Sequence, residues 1–191
     1  MDVIEAIRTR RSIGRLQGEI APEVIRELVE LATWAPNHRL TQPWRFTVVA
    51  GDERERLGRL WGAIAAAAQG FEGEEREESI RRDVTKLLRA PVLIFVSTRT
   101  DPDPVVAEED LAATAAAVQN LLLGAYARGL GAAWRTGRIV HDSTVKEFLG
   151  LAPTDRIVAI VNVGEPAMEA PAPHEREVDG VIRWHRSQAP G

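Results

Sequence analysis

The 191-residue chain has no cysteine. This rules out a disulfide frame, a thiol nucleophile and a thiolate metal site, and it fits a reducing compartment. It also lacks an excess of basic residues: 24 Lys and Arg stand against 28 Asp and Glu, for a formal charge of -4 and a pI near 5.7. No overall cationic field exists to attract nucleic acid or an anionic membrane, so any anion site must be local. No apolar run is long enough to span a bilayer, and Met1-Asp2-Val3-Ile4-Glu5 does not lead from a basic segment into an apolar one. The expectation is a soluble cytoplasmic protein. Repeats and low-complexity tracts are absent as well. Gly129-Leu130-Gly131 lacks the third glycine of a dinucleotide fingerprint and follows a helix instead of a strand, which excludes a Rossmann fold. There is no G-x-S-x-G elbow, and His38, His141, His174 and His185 show no helical pairing or His-Glu-x-x-His pattern, so neither a serine hydrolase nor a metal centre is expected.

What is present is ordinary globular composition, 45% hydrophobic and 27% charged, at a length that suits one domain with a sizeable core. Val3, Ile4 and Ile7 predict a short amphipathic helix. Pro22 opens a second over Glu23 to Trp34, with Val24, Ile25, Leu28, Leu31 and Ala32 as its apolar stripe. Arg45 to Ala50 reads as a strand, and Asp52 begins a charged helix carrying Leu57, Leu60, Trp61 and Ile64. Phe71 to Arg89 is so rich in Glu and Arg that it reads as a mobile, solvated excursion. Pro91 to Ser97 is a continuous apolar run, expected in mid-sheet. Asp103-Pro104 caps a long, nearly all-apolar helix that stops at Gly129. A strand over Gly131 to Thr136, a short helix to Leu149 and a strand over Arg156 to Val163 complete a core that ends near Gly164. Two consecutive helices open the chain and two more separate the first pair of strands, so an α+β sandwich fits better than a doubly wound sheet. The domain is expected over residues 1–164, with 165–191 as a Pro-spiced extension whose apolar Val181, Ile182 and Trp184 need somewhere to dock.

Three stretches carry recognition chemistry. Arg10-Arg11-Ser12 offers two guanidinium forks and a hydroxyl, the groups a phosphate dianion needs, or else a basic helix end that complements the helix dipole. Arg10 and Ser12 can act together only if the helix ends near Thr9 or Arg10 and the chain turns. Ala35 to Phe46, A-P-N-H-R-L-T-Q-P-W-R-F, places Asn37, His38, Arg39, Thr41 and Gln42 between two prolines, where no regular period explains them. His38 by itself reads equally as a functional group or a surface histidine. Trp134-Arg135-Thr136 presents an aromatic, a cation and a hydroxyl on a short strand, whose plain reading is an edge strand with a packed Trp.

Taken together, R-R-S after the first helix, A-P-x-H-x-x-x-Q-P-W-x-F before the first strand and G-L-G-A-A-W-R-T-G after the long helix resemble the flavin-dependent nitroreductase family over residues 1 to about 166. The likeness is closest to the compact branch, which carries a histidine after Ala-Pro. The resemblance implies an α+β sandwich with a mostly antiparallel central sheet, a homodimer with FMN at the subunit interface, and NAD(P)H as hydride donor in ping-pong reduction of nitroaromatic or quinone-like acceptors. It implies that Arg10, Arg11 and Ser12 hold the FMN phosphate and neighbouring polar atoms, and that Trp134, Arg135 and Thr136 line the flavin. His38 and Gln42 would reach it too, His38 from the second subunit. The helix end Gly124, Ala125, Tyr126, Ala127, Arg128 and Gly129 would lie near the nicotinamide. The chemistry sits on the flavin, so no catalytic acid or nucleophile is expected. Leu40 departs from the asparagine that many members carry. The alternative is a flavin-binding module with a storage or regulatory duty and no turnover. The tail is expected to wrap the dimer partner and add a strand to its sheet.

Overall fold

The computed structural model describes residues 2–185, so the end of the tail lies outside the described residues. In chain order the elements are α1 (Val3–Thr9), β1 (Leu16–Gln17), α2 (Pro22–Thr33), β2 (Trp44–Ala50), α3 (Glu53–Gln69), α4 (Gly73–Leu87), β3 (Val92–Thr98), α5 (Pro104–Ala127), β4 (Gly131–Arg135), α6 (Ser143–Phe148) and β5 (Arg156–Pro166). The sheet runs β1-β5-β3-β2, with β4 also pairing to β5, and every strand pair is antiparallel. The α+β sandwich is therefore the observed architecture. β5 extends two residues past 164, far enough for Glu165 and Pro166 to pair with β1, a two-residue strand too short to leave a sequence signal.

Strand alternation explains the two cores. β3 is buried along its whole length, as a continuous apolar run requires. Its Ile94 and Val96 join Leu28, Val118, Leu121 and Val161 under α2 and α5. Its Leu93 and Phe95 join Leu57, Val145, Ile157 and Ile160 under α3 and α6. The long helix α5 starts on Asp103, whose side chain accepts from Val105 N at 2.9 Å. It ends in a left-handed Gly129 with φ 73°. No helix among the described residues is long and apolar enough to cross a membrane.

The charged segment 71–89 differs from the expectation. It is the helix α4, packed along α3, with Ser79, Ile80, Asp83 and Leu87 buried. The packing is close because α3 turns glycines toward α4: a Cβ on Gly58 would stand 2.7 Å from Val84 Cα, and one on Gly62 would run into the backbone of Ile80. The Glu and Arg residues are the outer face of a helical hairpin, whose inner face is narrow enough to escape a composition-based reading. The opening helix α1 forms as expected but buries only Ala6. Its apolar Val3, Ile4 and Ile7 are 64%, 55% and 59% exposed in the single chain.

Candidate functional site

Helix α1 is capped by Asp2, which accepts from Ile4 N at 2.8 Å, and it stops at Thr9. Arg10 is already extended, with φ -54° and ψ 135°. This is the turn that joint use of Arg10 and Ser12 demands. The chain then lies beside β4: Ser12 bridges Ala132 in parallel, and Ile13 N donates to Ala132 O at 3.2 Å. Gly131 makes that approach possible, because a Cβ there would sit 2.5 Å from Leu16 Cδ2 and 3.2 Å from Ile13 Cβ.

The two arginines part ways. Arg11 Nη1 donates to the carbonyls of Arg8 and Arg10 at 2.8 and 2.7 Å, so its guanidinium caps the end of α1. Arg10 Nη1 is buried and has no hydrogen-bond partner among the described residues. Burial, and after it the neighbouring Arg11 charge, lower the Arg10 pKa from its usual value. A buried cationic donor without an acceptor is a costly arrangement that a bound anion would relieve. Both arginines line a cavity of about 130 Å³ together with Ile13, Tyr126, Gly129 and Met168.

A second cavity, of about 270 Å³, is walled by Gly14, Arg135, Thr136 and Asn162 from the sheet side and by Trp61, Asp83 and Lys86 from the helical hairpin. Gly14 sits near residues of both cavities, since a Cβ on it would meet Arg135 Nη2 at 3.7 Å and Met168 Sδ at 3.8 Å. Lys86 Nζ donates to the buried Asp83 Oδ1 at 2.6 Å. Sequence reasoning missed Asp83 and Lys86, although a signal was present. Asp83 falls on the same helical stripe as Ile80, Val84 and Leu87, and a carboxylate at a core position calls for a partner or a ligand. Trp134 points away from this cavity, as strand alternation requires, and its Nε1 donates to Val158 O at 3.3 Å.

His38 and Gln42 line neither cavity in the single chain. Their loop, which includes a short 3-10 turn at His38–Leu40, is tied to α5: His38 Nδ1 lies 2.7 Å from Glu109 Oε2, and Thr41 Oγ1 donates to Asp110 Oδ1 at 2.7 Å. Leu40 is 77% exposed. In the run 124–129, Gly124 and Ala125 are buried, with Gly124 facing Leu31 of α2 and Arg128 paired with Glu27. Tyr126 and Gly129 open onto the Arg10 cavity.

Comparison with known proteins places the chain in a family. The model of the nitroreductase family matches residues 7–165. The Bacillus subtilis (strain 168) protein YfhC, provisionally named an NAD(P)H nitroreductase, is 35% identical over 173 residues, covering 90% of this chain and 88% of its own. Among solved structures, a nitroreductase-like family protein from Bacillus cereus superposes with a TM-score of 0.83 at 30% identity, over 94% of this chain and 93% of that one. A provisionally named nitroreductase from Desulfovibrio desulfuricans, solved in complex with FMN, gives 0.74 at 27% identity over 98% and 99%. The chain belongs to the nitroreductase family.

Proposed function

We propose that the protein is an FMN-dependent oxidoreductase that takes hydride from NAD(P)H and reduces nitroaromatic or quinone-like acceptors by a ping-pong mechanism. The observation that carries the reading is the buried Nη1 of Arg10 at the turn after α1, without a partner among the described residues and on the wall of one cavity, with a second cavity lined by Gly14, Arg135 and Lys86. The residues fit a flavin nucleotide: a desolvated guanidinium suits its phosphate, and cations on the wall of a neighbouring cavity suit a ring that becomes negative on reduction. The FMN bound to the Desulfovibrio relative supports the same cofactor.

When bound, FMN supplies the hydride chemistry, which is why no nucleophile or acid is needed from the protein. The residues of this chain bind and orient. Arg10 and the Ser12 hydroxyl would hold the phosphate, with Arg11 keeping the end of α1 in place beside them. Arg135 and Lys86 would supply positive charge and Thr136 a hydrogen bond, while Trp134, on the opposite face of β4, stays outside this cavity. His38 and Gln42 would reach the flavin from the second copy. Tyr126, Ala127, Arg128 and Gly129 offer the accessible part of the 124–129 run to the nicotinamide co-substrate, and the buried Gly124 and Ala125 would shape it from behind.

A homodimer completes this site. Each cavity is below the roughly 300 Å³ at which ligand pockets begin, so a second surface is needed to enclose a nucleotide. The uncovered apolar face of α1 offers one for an isologous contact. Residues 1–164 would form the flavin-binding domain. Of the extension 165–191, Glu165 and Pro166 stay with β1 of their own chain, and the rest, with Val181 82% exposed, would cross to the partner and lie along β2, whose outer edge is unpaired among the described residues and borders a groove lined by Ile20, Ile25, Val29, Phe46 and Val48. Bleaching of the bound flavin by NADH or NADPH under anaerobic stopped flow tests turnover. Flavin that stays oxidised with both donors returns the protein to the storage-module alternative.

A further inference from the structure

Among the described residues, the non-glycine residues with left-handed backbone are Arg39 (φ 52°), Leu40 (φ 53°) and Gln42 (φ 43°), all in one loop. Such a cluster is strained for side chains with a Cβ, and it persists only where surrounding structure holds it. The loop is not held by burial, since His38, Arg39, Leu40 and Gln42 are all exposed. It is held by polar contacts. Asn37 Oδ1 accepts from Gln42 N at 3.0 Å and closes the loop on itself. Two successive residues of α5 then anchor it from below. Asp110 is buried and takes the Thr41 hydroxyl, and Glu109, on the rim, takes His38 Nδ1.

The chemistry of the second contact fixes more than position. An ionised carboxylate only accepts hydrogen bonds, so the ring nitrogen facing it must carry the proton. With Nδ1 protonated, neutral His38 keeps its lone pair on Nε2, the nitrogen that Glu109 does not engage.

We propose that Glu109 and Asp110 are positioning residues: together they hold 38–42 in its strained conformation and set His38 in the Nδ1–H tautomer, so that Nε2 is presented as an acceptor for an N–H or O–H of the bound ligand. The consequence for function rests on the proposed role of His38 and Gln42 as flavin contacts. Neither acidic residue touches the ligand in this account. They act through Thr41 and His38.

The test has two arms. In the apo-protein at about pH 8, above the ordinary histidine range, long-range proton–nitrogen spectra should give His38, assigned by its absence in His38→Gln, a protonated Nδ1 and a bare Nε2. Glu109→Ala should lose that pattern. A wild-type His38 that carries its proton on Nε2, or that averages the two forms, overturns the clamp. In the second arm, Thr41→Val should weaken FMN binding about tenfold, while Thr41→Ser, which keeps the hydroxyl, stays within about twofold of wild type, with apo-protein melting curves checking the fold. Thr41→Val binding FMN as tightly as wild type also overturns it, and if that variant does not fold, Glu109→Ala carries the affinity measurement. Wild-type protein that takes up no FMN defeats the flavin reading alone, and the nitrogen spectra still decide the clamp.

Discussion

Lys86 donates a 2.6 Å hydrogen bond to Asp83 across one turn of α4, on the wall of the cavity that also exposes Arg135 and Gly14. Asp83 is almost fully enclosed and Lys86 is half exposed, so the pair turns a positive head toward the cavity over a buried negative base. That polarity suits an electron-rich ring and ties the α3–α4 hairpin to the site.

Replacing Lys86 by Met should weaken FMN binding by roughly tenfold, the scale of one lost charge-assisted hydrogen bond. Among the described residues it also leaves the Asp83 carboxylate with only the more distant Arg82 at 3.8 Å, so Asp83→Asn/Lys86→Met should melt higher than Lys86→Met alone. Fluorescence titration and thermal unfolding check the two statements. Full FMN affinity in Lys86→Met would remove this residue from the site.

Arg10→Ala should reduce FMN affinity more than Arg11→Ala, because Arg11 is committed to the carbonyls of Arg8 and Arg10 while Arg10 Nη1 has no partner among the described residues. A loss of roughly tenfold to a hundredfold is expected for Arg10. Arg11→Ala should act mainly through α1, with a smaller loss. Equal losses in a direct binding titration would contradict the division of labour between them.

Gly62→Ala forces a methyl group into the backbone of Ile80 and should destabilise the protein by about 1–3 kcal/mol, the range of overpacked sites. At this chain length each kcal/mol moves the melting midpoint by roughly 2–4 °C. An unchanged midpoint in calorimetry would mean that α3 and α4 do not pack this closely.

Removing residues 173–191 leaves β5 and Met168 in place and deletes the exposed apolar Val178, Val181, Ile182 and Trp184. If this extension covers the partner's β2 edge, light scattering should show a weakened dimer or a monomer. A truncated chain that remains a stable dimer at low micromolar concentration would show the exchange to be unnecessary.

The parts of the molecule visible in its sequence are those governed by local rules. The apolar run of β3, the Asp103-Pro104 start of α5, Gly129 at its end and the prolines around His38 each act within a few residues. The turn at Arg10 was legible too, because Arg10 and Ser12 can cooperate on no other backbone. What escaped depends on contacts between distant segments. Asp83 and Lys86 look like two more charges in a charged helix until Gly58 and Gly62 bring α3 against them. Glu109 and Asp110 look like the polar start of an apolar helix until the loop 38–42 folds onto them, some 70 residues upstream. Arg10 and Arg11 are chemically identical in sequence, and only their hydrogen bonds separate the capping residue from the donor that has no partner among the described residues.

Absorbance spectroscopy of the purified protein tests the flavin assignment most directly. The Arg10 turn and the Gly14–Arg135–Lys86 cavity predict a yellow protein with the visible spectrum of an oxidised flavin, which releases FMN on denaturation and takes it up again in about one equivalent per chain. A colourless protein that cannot be loaded with added FMN would contradict it.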